Sequence, residues 1–351
     1  MTKNEKKKAI LGVAIVLIAW GGFVGWYKFF REVPQPPFAN YEMKFKYGSL
    51  GAENDRGIPY WIWLVLPRLF PEHLPGPGGY KALGMVWEPG EELPAGFSKK
   101  TVGFPRVTNN CAACHTGIYR TKENERPTVV AAAPSHTSDV QAYFRFLFRS
   151  ANDVRFNADE LMREINLVAD LSFVDRLIYR FILIPFTRKA ILEQEKQFAW
   201  MNAPHMPAWG PGRDDPMNLT KFFMTSLPPD NSTGNADFPS IWSLKERDPA
   251  HEGQSMNWDG ATPAARSVII DSALGLGAPP TQAFLNAMDE LEKWLKALPP
   301  PKYPFPVDAA LAQTGKATFD QTCAVCHAPN GARVNTIIDI KEISTDRERL
   351  D

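Results

Sequence analysis

Two pentads constrain this chain more than any other feature: Cys111-Ala112-Ala113-Cys114-His115 and Cys323-Ala324-Val325-Cys326-His327. Together they hold all four cysteines of a 351-residue sequence. C-x-x-C-H is the spacing at which two thiols can bond a porphyrin edge through thioethers while the adjacent histidine reaches the iron. One zinc site built from both CxxC pairs is the competing reading, but it leaves the histidine after each pair unexplained. Two disulfides would not scaffold a chain of this length. The pentads therefore predict two covalently bound haem c groups. Cys111, Cys114, Cys323 and Cys326 are the cofactor-binding residues, and His115 and His327 are the metal ligands. His205 and Met206, in the turn-rich loop MNAPHMPAWGPGRDDP, are possible additional axial ligands by their chemistry, or spectators.

A second constraint lies at the N-terminus. Residues 9–27, AILGVAIVLIAWGGFVGWY, carry no charge and follow Lys3, Lys6, Lys7 and Lys8. As a helix this stretch spans about 28 Å, close to the hydrocarbon core of a bilayer. Trp20, Trp26 and Tyr27 crowd its far end, as interface anchors do. A cleaved signal peptide is the alternative, but no small-x-small site follows. The segment predicts an uncleaved single-pass anchor in the cytoplasmic membrane. The preceding lysines put the remaining chain on the periplasmic or exterior side.

Lys+Arg and Asp+Glu both number 39, so no global charge points to a nucleic acid. The 31 prolines and 24 glycines predict long ordered loops. Residues 28–57 read as a linker. Residues 58–71, IPYWIWLVLPRLFP, are apolar but too short and proline-limited for a second span, so they are expected to pack inside the protein. Residues 74–105 read as irregular. Ser138 is a candidate N-cap for a helix over 139–149, and Asn157 begins another. Residues 172–199 read as helical with an interruption at Pro185; FVDRLIYRFILIPF could be a core helix or a helix lying on a membrane surface, with the core preferred. The clearest amphipathic stripe covers 280–298, and 307–322 is the helix that feeds the second pentad. Five segments result: a basic tail 1–8, an anchor 9–27, a linker 28–57, a first haem domain 58–300 and a second haem domain 301–351.

Several further stretches carry a resemblance: IPYWIW (58–63), NNCAACHTG (109–117), PAWGPGRDDPMN (207–218), DFPSIW (237–242), NWDG (257–260), YPFPVD (303–308) and the tail 332–351. With both pentads, they make the chain resemble the dihaem c-type cytochromes related to bacterial cytochrome c peroxidase, the MauG-type enzymes and, most of all, the RoxA-like rubber oxygenases. That resemblance implies a mainly α fold of tandem cytochrome c-like haem domains with long loops, preceded by the transmembrane helix. It implies that Trp258 lies between the haems as a relay and that Arg266 approaches the distal side of the first haem, the two candidate catalytic residues. Where the peroxidases keep an acidic residue beyond the WDG motif, this chain offers Asp271. The family continues well past the second haem motif, which reads this chain, ending 24 residues after His327, as a fragment.

The expected function is a membrane-anchored dihaem redox enzyme, peroxidase-like or oxygenase-like, on the outer side of the membrane. The alternative is a non-catalytic dihaem electron carrier serving a membrane redox complex. Expected partners are the membrane itself and a small redox protein or membrane electron-transfer complex.

Overall fold

The computed structural model describes residues 2–204, 206–229, 234–248, 254–256, 262–329, 331–345 and 347. Helix α1 (Lys3–Phe29) opens the chain, capped by Thr2, whose side chain accepts from the Glu5 amide. It is long and apolar enough to cross a membrane, by length and composition, and its apolar span is not buried in the protein. Strand β1 (Glu32–Val33), α2 (Tyr41–Tyr47) and α3 (Glu53–Arg56) follow. The stretch read as a linker thus carries structure: β1 pairs into a sheet, and Phe45, Lys46 and Tyr47 of α2 are buried.

Strand β2 (Ile58–Pro59) leads into α4 (Tyr60–Leu69), and then β3 (Phe97–Val102) and β4 (Phe104–Asn109) form a hairpin. The four strands make one antiparallel sheet in the order β1-β3-β4-β2. Pro59 sits on the edge strand, where its missing N–H breaks no ladder. Between β3 and β4 stands Gly103 alone, with φ +70°; a Cβ there would lie 2.3 Å from the Lys28 carbonyl oxygen. The glycine makes the turn and also lets the end of α1 close onto the hairpin tip. Strands β5 (Thr116–Tyr119) and β6 (Thr128–Ala131) form a second antiparallel pair directly after the first pentad.

Helices α5 (Val140–Asn152), α6 (Ala158–Asn166), α7 (Phe173–Ile178) and α8 (Ile184–Gln197) come next. Asp139, one residue after the expected cap, holds the Ala142 amide; Asn157 caps α6 as expected. Between α7 and α8 the backbone passes through a π-helical turn, Tyr179–Leu183, and Pro185 follows directly after it, so the helix runs on where an interruption was expected. Strand β7 (Arg213–Asp214), α9 (Pro216–Met224) and β8 (Ala236–Asp237) follow, β7 and β8 forming a third antiparallel pair. The chain continues through α10 (Leu244–Arg247), α11 (Ala265–Gly275), α12 (Gln282–Ala297), α13 (Ala309–Thr322), α14 (Ala324–His327) and α15 (Ile340–Ile343).

The larger core joins α4, the hairpin, α5, α6 and α8. Trp63, Phe70, Phe146, Phe156, Phe198 and Trp209 are its largest fully buried side chains. Trp63 stacks on Tyr80 at 4.3 Å and donates its indole N–H to the Tyr143 oxygen at 3.1 Å. Burying such an amphipathic ring with its N–H satisfied is the favourable case for tryptophan. The apolar run at 58–71 packs inside, as its length and prolines require. A second core gathers α10, α11 and α12 around Phe284, Met288, Leu291 and Leu295, and draws in Phe45 of α2 and Ala112 of the first pentad.

The expected mainly α architecture of tandem haem domains does not stand. The fold is mixed α/β, with three antiparallel sheets among the described residues. Beyond Leu295 no described residue is buried.

Candidate functional site

The first pentad hangs from the end of β4. Asn110 is buried; its side-chain oxygen accepts from the Ala112 amide at 2.9 Å, and its amide group donates to the carbonyls of Lys46 and Gly48 at 3.3 and 2.9 Å. Its own N–H donates to the Gly96 carbonyl at 2.7 Å. Gly96 has φ +93°, and a Cβ there would fall 2.2 Å from the Ala113 nitrogen. A glycine and an asparagine thus fix the one-turn 3₁₀ helix Cys111–Ala113. On the far side the Cys114 carbonyl accepts from the Ser135 amide at 3.0 Å.

His115 is held by its ring. Nδ1 lies 2.9 Å from the Pro239 carbonyl oxygen. A carbonyl can only accept, so Nδ1 carries the proton and Nε2 presents a lone pair. Desolvation pushes the imidazole down to about 4, which keeps it neutral at physiological pH. The same loss of water raises the Cys111 thiol to about 11 and the Cys114 thiol well above its ordinary value, with Asp214 adding to the Cys114 shift. Neither thiol is an activated nucleophile in this setting. Cys111 packs against the second core, while Cys114 is half-buried. A histidine with one nitrogen tied to a backbone carbonyl is the usual arrangement of a metal ligand, because the tie fixes both tautomer and ring orientation.

The second pentad is built differently. Cys323 ends α13, and Ala324–His327 form α14. Cys323 and Cys326 are half-buried, and His327 is exposed. The Val325 carbonyl accepts from the Arg333 amide at 2.9 Å. Further on, the Asn335 side chain donates to the Arg247 carbonyl at 2.9 Å, and the Ser255 amide donates to the Asn335 carbonyl at 2.8 Å. These contacts fasten the segment after the pentad to the region beyond α10.

Trp258 and His205 lie outside the described residues. Met206 is half-buried in its loop, its amide donating to the Ala203 carbonyl at 2.9 Å. Arg266 pairs with Asp289 at 2.7 Å, α11 to α12. Sequence reasoning singled out neither Asn110 nor Gly96 for its role in the pentad, and quoted Pro239 only within DFPSIW; the carbonyl that orients His115 leaves no residue-type signal, since any residue could supply it.

Among the described residues, the one set of three histidine, cysteine or carboxylate side chains whose ligand atoms lie within 4.8 Å of one another is Glu72, His73 and Asp153. Cys111, Cys114 and His115 are not such a set, so they do not form a preshaped chelate for one bare ion. At the Glu72 cluster the positive charge is already supplied: Arg155 bonds both carboxylates, reaching Asp153 at 2.7 Å and Glu72 at closer range. These contacts hold the Asp153 carboxyl well below its usual range.

No family model matches the chain, and no solved structure matches it. A curated relative, the uncharacterized protein y4iM of Sinorhizobium fredii (strain NBRC 101917 / NGR234), is 36% identical over 113 residues, which is 32% of this chain. The match spans about a quarter of that relative's length, 24%. The likeness to the dihaem cytochromes is therefore confined to the pentads and the short motifs around them, and does not extend to family membership or to the fold. The expected pair of covalently bound haem c groups, and with it the dihaem oxidoreductase and the dihaem electron carrier, loses its footing on the same findings. Cavities of about 530 and 470 Å³ lie along α8 and along α12, and neither is lined by a pentad residue. No described residue beyond Leu295, the second pentad included, is buried.

Proposed function

We propose that the chain is a membrane-anchored metal-binding protein, with the Cys-x-x-Cys-His pentads as its ligand residues. In this reading His115 ligates the metal through Nε2, and Cys111 and Cys114 are thiol ligands that turn towards it on binding. His327, Cys323 and Cys326 do the same at the second pentad. The observation that carries the proposal is the 2.9 Å bond from His115 Nδ1 to the Pro239 carbonyl, which leaves Nε2 as the free acceptor beside two thiols in a rigid turn. Cysteine sulfur, which must lose its proton as the metal binds, and imidazole together suit the softer first-row transition metals rather than magnesium or calcium.

Residues 9–27 are the span, residues 1–8 stay on the cytoplasmic side, and the folded part lies outside. Support comes from the lysines before the span and the aromatic residues at its end.

The test is elemental analysis of the full chain purified from membranes. One transition metal per pentad is expected. Replacing Cys111 and Cys114 together by serine should remove the metal of the first pentad and leave that of the second. Replacing Cys323 and Cys326 should do the reverse. A wild-type chain free of transition metal would overturn the proposal.

A further inference from the structure

Helix α7, the π turn and α8 form one continuous rod with two unlike faces. Tyr179, Leu183 and Ile184 point into the larger core and are buried. The opposite face carries Phe173, Val174, Leu177, Phe181, Ile182 and Phe186, all exposed, with Phe173 at 75%, Phe181 at 66% and Phe186 at 67%. The π turn matters here. It takes more residues per turn than an α-helix, and Phe181 and Ile182 within it stay exposed together with Phe173 and Leu177 before it and Phe186 after it. A contiguous apolar face of this kind on a folded protein marks a surface that something covers.

The structure also places this face beside the end of the membrane helix. Lys28, in the last turn of α1, bonds Asp175 in the first turn of α7 at 2.6 Å. Phe29 packs edge-on against Phe104 at 6.4 Å, and Phe104 in turn meets Tyr179 at 6.5 Å. The Gly103 amide donates to the Arg31 carbonyl at 2.8 Å. The hairpin tip, the exit of α1 and the start of the rod are thus fastened together, so the rod is not free to swing away from the bilayer that α1 enters.

We propose that the outer face of the Phe173–Phe186 rod lies in the bilayer surface, its phenylalanines at the boundary between headgroups and acyl chains, as a second membrane contact beside α1. The proposal rests on the reading of α1 as a membrane span. Arg176, paired with Asp170 at 3.5 Å, and Arg180, paired with Asp159, supply charge on the rod. Aromatic and aliphatic residues together with basic groups on one helix fit a helix lying in a membrane interface. This differs from the sequence-based preference for a purely buried helix: one face is core, and the other is not.

The full chain reconstituted into phosphatidylcholine vesicles containing a photoactivatable acyl-chain lipid tests it. After irradiation, lipid adducts should map to the peptides of residues 9–27 and also of 173–186. Replacing Phe181 and Phe186 together by aspartate should lower the second yield by roughly tenfold or more and leave the first unchanged. Both side chains are mostly exposed, so the variant is expected to fold, which its circular dichroism would verify. Adducts in 9–27 alone would overturn the inference while leaving the anchor intact. Adducts in neither segment would overturn both readings. A photo-crosslinking residue at position 181 that captures a protein instead of lipid in native membranes would overturn the inference as well.

Discussion

Gly96→Ala is expected to destabilise the protein by roughly 2–5 kcal/mol, from left-handed backbone strain and overpacking together. Residue 96 sits at φ +93°, a region that alanine rarely adopts. Its new Cβ would fall 2.2 Å from both the nitrogen and the Cα of Ala113, in the middle of the first pentad. Those are backbone atoms, so no side chain can rotate away. Either the β3 end or the Cys111–Ala113 turn must shift, and the turn is also held by Asn110. Thermal unfolding in detergent should show a marked fall in midpoint. Cys111 should also become reactive to a thiol reagent faster than in the wild type. An unchanged midpoint with unchanged thiol reactivity would show that the close approach at Gly96 is not what shapes the pentad.

Trp63→Ala should cost about 3–5 kcal/mol, the range for removing a large buried aromatic ring. Trp63 is completely buried in the larger core, stacked on Tyr80 and tilted against Phe97 of the sheet. Its loss leaves a cavity between α4, the hairpin and α5, and it strips the Tyr143 oxygen of its indole donor. Trp63→Phe keeps most of the ring volume and should cost clearly less. Denaturant unfolding of both variants is the measurement. Equal costs for alanine and phenylalanine would point to the lost hydrogen bond as the larger part, against the packing argument made here.

Helices were legible in the sequence wherever an amphipathic stripe and a cap coincided. The Asn157 cap and the stripe of α12 follow from local rules that tertiary contacts did not override, whereas the helix runs on through Pro185, where an interruption was expected. The four-stranded sheet was not legible. Strand β3 contains adjacent Lys99 and Lys100, and it lies in a stretch whose glycines and prolines read as irregular. It becomes a central strand because β1, more than 60 residues earlier, pairs to its other edge through Glu32 and Val102. Nothing local announces such a partner.

The pentads themselves were visible at once, but their surroundings were not. The Pro239 carbonyl that orients His115 lies 124 residues away and acts through backbone. The contrast between the two pentads was likewise hidden: near-identical sequences stand in a packed turn in one case and on exposed helices in the other. The chain's resemblance to dihaem cytochromes was carried by those five-residue motifs and a few short stretches. It did not survive the fold, because short motifs fix local chemistry and leave architecture open.

The most direct test of the proposed metal site is X-ray absorption at the edge of whichever transition metal copurifies with the full chain, comparing wild type with His115→Ala. The account predicts imidazole nitrogen scattering in the first coordination shell at about 2.0–2.1 Å, the distance typical of histidine bound to such metals. In His115→Ala that contribution should fall by the share belonging to the first pentad. An imidazole signal unchanged by the substitution, or a chain that copurifies with no transition metal, would contradict the assignment of His115 as a metal ligand.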